Sequence, residues 1–182
     1  MSASKTFVAL LRGVNLAGRN KVPMAELRSA LESLGLEDVV TYIQSGNVVF
    51  RSGRGGAREL AGRMERAIAD AFGIEVAVLL RTPAELAKVA AGNPFLQHGA
   101  DPSKLHVVFL GGKPGKTAAA RLDPERSPPD EFELSGRELY LHLPNGFGRS
   151  KLTVDYVERS LGVAATARNW RTLTKLIDLT RA

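Results

Sequence analysis

The sequence predicts an α+β fold of two ferredoxin-like βαββαβ halves, related by internal duplication, with a connecting helix and a C-terminal helix. Three observations predict it. Short apolar, β-branched runs alternate with amphipathic stretches in the order β-α-β-β-α-β-α, and that order occurs twice within 182 residues. Turn and cap residues recur at near-constant spacing: Gly46 and Gly136, Gly73 and Gly162, Thr82 and Asn169 are 90, 89 and 87 positions apart. Both expected hairpins bend at Ser-Gly, at Ser45-Gly46 and Ser135-Gly136. A split βαβ unit lays the helices of such a pattern on one face of an antiparallel sheet. The halves are expected to span 1–92 and 93–182, parted where Gly92-Asn93-Pro94 breaks a helix.

Each element follows from local chemistry. Residues 6–11 (TFVALL) form a short buried strand, and residues 12–21 a loop carrying glycine and cations. Pro23 fits the first turn of the next helix, where its missing N–H costs nothing. Met24, Leu27, Leu31 and Leu34 make that helix's apolar stripe, and Gly35 stops it. Residues 39–44 and 48–51 are strands about a two-residue Gly46-Asn47 turn, in which glycine accepts a positive φ. Leu60, Met64, Ile68 and Phe72 mark a second helix ended by Gly73, and residues 75–80 a further strand. Thr82-Pro83-Ala84-Glu85 reads as a capping box opening a helix to about Ala91.

The second half begins with a strand at residues 105–110. A loop and short helix follow, then a hairpin of residues 131–134 and 138–143 about Ser135-Gly136-Arg137. Ser150 is expected to cap a helix with Leu152, Tyr156, Val157 and Leu161 inward and Gly162 at its end. Residues 163–167 make a short strand. Asn169 caps a last helix, its inner face Trp170, Leu173, Leu176 and Ile177.

Composition narrows the function classes. The formal net charge of +6 favours acidic partners, and the 44% hydrophobic and 24% charged fractions are those of an ordinary globular protein. With no cysteine there is no disulfide framework, thiolate chemistry or cysteine zinc site. The N-terminus lacks an apolar signal core, and no apolar run approaches the ~18 residues of a membrane span. A cytoplasmic protein with no membrane partner is expected. His98, His106 and His142 lack metal-ligand spacing, so neither metal nor cofactor is expected. Residues 111–117 (GGKPGKT) miss a phosphate-binding P-loop, because Leu110 stands where glycine is required and Pro114 removes an amide.

Polar clusters remain as site candidates. The first loop offers Arg12 and Asn15 between a strand and a helix start, a setting in which free amides can cradle an anion. The bend offers Gln44, Ser45 and Asn47, which equally serve a turn. Ser150-Lys151 and Arg168-Asn169 place cations beside two expected N-caps, where positive charge is disfavoured unless an anion or a carboxylate compensates. Phe7 and Phe50 are the aromatics a base-stacking sheet would use, while Trp170 has core spacing.

The segments LRGVNLAGRNKVPM, TYIQSGNVVF, GRSKL and TARNWRT resemble those of the bacterial family catalogued as domain of unknown function 1697. The matching positions are Arg12, Gly13, Asn15, Gly18 and Lys21; Thr41, Gln44, Ser45, Gly46 and Asn47; Ser150 and Lys151; and Thr166, Arg168, Asn169 and Thr172. The resemblance implies a duplicated α+β fold and no assigned activity. Ala17 stands where the family commonly has a second glycine. The expected function is a binding module for an anionic ligand, either a phosphate-bearing small molecule or nucleic acid. The alternative is a small enzyme acting on a phosphorylated or carboxylated metabolite, for which no acid–base pair is evident.

Overall fold

The computed structural model describes residues 3–182. They form two compact units, one comprising the chain up to Ala87 with Leu176–Ala182, the other Lys88–Lys175.

The first unit contains β1 (Lys5–Leu11), α1 (Met24–Glu32), β2 (Glu37–Tyr42), β3 (Asn47–Ser52), α2 (Ala57–Phe72) and β4 (Val78–Arg81). Its sheet has the order β2-β3-β1-β4, antiparallel throughout. Helix α3 (Pro83–Ala91) leads into the second unit, where α4 (Pro94–Gln97), β5 (Leu105–Leu110), α5 (Lys116–Ala119), β6 (Glu131–Ser135), β7 (Glu138–His142), α6 (Val154–Leu161) and β8 (Ala165–Asn169) follow. Its sheet has the order β6-β7-β5-β8, again antiparallel. Helix α7 (Trp170–Leu179) completes the chain's regular structure. Both sheets are ferredoxin-like, as the element order predicts.

The likeness of the halves extends to single hydrogen bonds. The N–H of Leu11 donates to Gly46 O at 2.9 Å and that of Arg12 to Ala77 O at 2.9 Å. In the second unit Leu110 donates to Arg137 O at 2.9 Å and Gly111 to Ala164 O at 2.8 Å. Helices α2 and α6 both end at a left-handed glycine, Gly73 (φ 67) and Gly162 (φ 69).

Strand periodicity places the cores. Phe7, Ala9 and Leu11 of β1 pack with Phe50 beneath Leu27 and Leu31 of α1 and Leu60, Met64 and Ile68 of α2. Val108 and Leu110 pack with Leu139, Leu141 and Val157 in the second unit. The intervening residues are buried too, including Val8, Leu10, Val107 and Phe109. That explains why the central strands read as unbroken apolar runs.

Several local expectations change. Pro23 is the residue before α1 (φ −62, ψ 129), not part of its first turn. The β2–β3 bend is longer than two residues: it spans 43–46, Tyr42 faces Asn47, and Asn47 opens β3. Helix α6 starts at Val154 and is capped by Thr153, whose Oγ1 accepts from Tyr156 N–H at 3.2 Å. Ser150 lies outside it, because its Oγ accepts from Leu152 N–H at 3.0 Å in a hydroxyl turn of its own. The capping box forms as expected: Thr82 N–H donates to Glu85 Oε2 at 2.7 Å, and Glu85 N–H to Thr82 Oγ1 at 3.2 Å. No described helix is long and apolar enough to cross a membrane.

Candidate functional site

In the first unit the β1–α1 loop meets the β2–β3 bend. The loop is held in left-handed backbone at Gly13, Asn15, Ala17, Gly18 and Asn20. Asn15 ties it down: Nδ2 donates to Val22 O at 3.0 Å and to Gln44 O at 2.7 Å, while Oδ1 accepts from Val22 N–H at 2.8 Å. Asn20 Nδ2 reaches back to Gly13 O at 3.0 Å. Asn47 is wholly buried, donating to Tyr42 O at 3.1 Å and to Ser45 Oγ at 2.9 Å. Asn15, Ser45 and Asn47 therefore build the loop–bend junction. Gln44 contributes its carbonyl to that junction and leaves its side chain exposed. Arg12 is half-buried and engaged, whereas Arg19 and Lys21 are exposed. The amide N–H groups of Gly13, Ala17, Gly18 and Lys21 meet no acceptor among the described residues.

The second unit uses its predicted residues differently. Ser150 is buried, and Lys151 N–H donates to Ser127 Oγ at 3.0 Å, which itself donates to Asp130 Oδ2 at 2.7 Å. Ser150-Lys151 thus fastens the loop ahead of α6, whose cap is Thr153; the Lys151 ammonium stays exposed. Asn169 does cap α7, its Oδ1 accepting from Thr172 N–H at 2.8 Å. Arg168 is buried in β8, with Nη1 donating to Thr166 Oγ1 at 2.7 Å and Ala167 O at 2.8 Å. Burial lowers its pKa to about 10, so it stays charged at neutral pH.

A second buried arginine escapes the sequence reading. Arg81 ends β4 at 2% exposure, and its Nη1 donates to Leu80 O at 3.0 Å. It pairs across the ladder with Val8, as Arg168 pairs with Val107. The signal was present: Arg81 and Arg168 share the 87-residue spacing of Thr82 and Asn169.

Phe7 and Phe50 stack on each other at 5.7 Å within the helix-side core, so they form no base-stacking platform. The near-P-loop leads into α5, only four residues long, with its first amide committed to Ala164 O.

Two concavities lie within the units. An open groove of about 610 Å³ in the first unit includes Arg54 and Arg63, but Arg63 Nη2 is spent on Leu34 O at 2.6 Å. A cleft of about 480 Å³ in the second unit is lined by Pro102, Ser103, His106, Asn169, Trp170 and Arg171, among others. The His106 ring stacks on Phe147 at 5.0 Å. Its Nδ1 is buried without a hydrogen-bond partner, and burial lowers its pKa.

These features define an α+β protein built from two ferredoxin-like units, with polar loops gathered at strand–helix junctions. The chain belongs to the family described as "Protein of unknown function (DUF1697)", whose model matches residues 4–140. It is similar in fold to the conserved bacterial protein SP0830 from Streptococcus pneumoniae, at 22% identity and a TM-score of 0.74. That similarity covers 98% of this chain and 99% of the other. None of the curated proteins matches the chain.

Proposed function

We propose that the protein is a non-catalytic, cytoplasmic binding module whose β1–α1 loop receives a phosphate-bearing ligand. The observation that carries this reading is the loop's set of uncommitted amides, those of Gly13, Ala17, Gly18 and Lys21, beside the exposed cations Arg19 and Lys21. Backbone that alternates into the left-handed region forms concave nests of N–H groups suited to an anion. Asn15, Ser45 and Asn47 hold that backbone in shape, and Gln44 adds an exposed amide. Arg12, Lys151 and Arg168 supply positive charge to the two units, while Ser150 serves its local turn and Asn169 caps α7. The parallel hydrogen bonds of the two units support their origin by internal duplication. With Phe7 and Phe50 buried, a small phosphorylated molecule fits better than a stacked nucleic acid strand.

The test is a thermal-shift titration of the full chain with inorganic phosphate and pyrophosphate at constant ionic strength. Binding should raise the melting temperature saturably. The Arg19→Ala, Lys21→Ala double variant should keep its unliganded melting temperature and lose the rise. A flat titration, or a rise retained by the double variant, overturns the reading. Oligonucleotide binding with a steep log–log salt slope would reassign the module to nucleic acid.

A further inference from the structure

We infer that the cleft in the second unit is a separate binding site for a small monocarboxylate with an apolar body. Its volume of about 480 Å³ falls in the range of small-molecule sites. Pro102 and Trp170 supply apolar wall. The polar equipment points one way. Arg171 is exposed, and its guanidinium has no partner among the described residues. Asn169 Oδ1 is taken by the Thr172 amide, which leaves its Nδ2 as a donor.

His106 adds a third donor. Its Nδ1 is buried and faces no acceptor, so a proton there would be an orphaned buried N–H. Orphaned buried N–H groups are rarer than under-satisfied acceptors, so we assign the proton of the neutral ring to Nε2, which is not among the buried unpaired atoms. Donors of Arg171, Asn169 and His106 thus outnumber the hydroxyls of Ser103 and Thr174, the latter's proton already spent on Arg171 O at 3.0 Å, and together they ask for a ligand of acceptors.

Charge decides which acceptor. Arg171 is the one full positive charge on the lining, because His106 is held neutral by burial. The neighbouring Asp101 carboxylate is engaged elsewhere, its Oδ1 accepting from Ser103 N–H at 2.9 Å and its charge met by Lys104. A single guanidinium matches a carboxylate in both charge and bidentate geometry. A phosphate monoester, close to doubly charged at pH 7, would be only half-compensated by that one guanidinium.

This site is independent of the β1–α1 loop, so either proposal can fail alone. Trp170, the chain's sole tryptophan, lines the cleft and reports occupancy directly. The full chain is titrated with sodium hexanoate, with the uncharged isostere hexanamide, and with inorganic phosphate, at one ionic strength. Hexanoate should change the Trp170 emission saturably; hexanamide and phosphate should leave it unchanged. Arg171→Gln should weaken hexanoate binding by roughly tenfold, the loss of one charged hydrogen-bonded contact, at an unaltered melting temperature. His106→Phe, which keeps the ring stack and removes the donor, should weaken it severalfold. No response to hexanoate through the millimolar range overturns the site. An equal response to hexanamide or phosphate, or unchanged affinity in Arg171→Gln, overturns the carboxylate assignment.

Discussion

Asn15 is the residue on which the first unit's loop geometry turns. It makes three hydrogen bonds to backbone, two of them to Val22 and one to Gln44. At about 1 kcal/mol each, Asn15→Ala should cost roughly 2–3 kcal/mol in chemical denaturation. Gly46 is equally constrained, since a Cβ there would lie 2.5 Å from Val14 Cγ2 and 2.7 Å from Leu11 Cβ, at φ 81. Gly46→Ala should therefore cost at least about 2 kcal/mol, because the methyl meets side chains rooted on β1 and its exit. Ile43 is the opposite case. It is β-branched, half exposed and left-handed at φ 48, so its own identity strains the bend. Ile43→Asn should raise stability by about 1 kcal/mol, as asparagine tolerates that region. The same reasoning applies to Ala17, a non-glycine residue in the left-handed region at φ 47.

Among the elements, α6 shows how a cap is misread from sequence. Ser150 and Thr153 are both hydroxyl residues before the same apolar stripe, and only the chain's path selects between them. Thr153→Ala should cost about 1 kcal/mol and Thr153→Asp little, measured as denaturation midpoints. Capping elsewhere was legible, because Thr82-Glu85 and Asn169 act on amides within three residues of themselves. The β2–β3 bend was legible as a turn and not in length. Gly46 marks the bend, but the ladder sets Tyr42 opposite Asn47, and that pairing also depends on β1.

Across the whole molecule, a buried charge and a half-buried imidazole set the response to substitution and pH. Burial disfavours the charged form of Arg168, so removing the charge while filling its volume should be milder than leaving a void. Arg168→Met should retain more stability than Arg168→Ala, which should lose roughly 2–4 kcal/mol. The His106 pKa is lowered from 6.5 by burial. The unfolded imidazole thus takes up its proton at a higher pH than the folded one. Between those two values the unfolded state binds more protons, so this residue's contribution to stability falls as pH drops below 6.5 and is constant above it. Melting temperatures measured between pH 7.5 and the acid range should show a slope that is shallower in His106→Phe.

By itself the sequence determined the repeated element order, the helix stops at Gly73 and Gly162 and the capping box, since each depends on periodicity or on atoms a few residues apart. It also marked the loop and bend residues as special. Only the tertiary structure decided which of them are fasteners and which face solvent. Asn15 binds a carbonyl 29 positions away, and Lys151 a hydroxyl 24 positions back. Whether a polar side chain is spent or available depends on which distant backbone folding brings within 3 Å of it, and local chemistry carries no record of that distance.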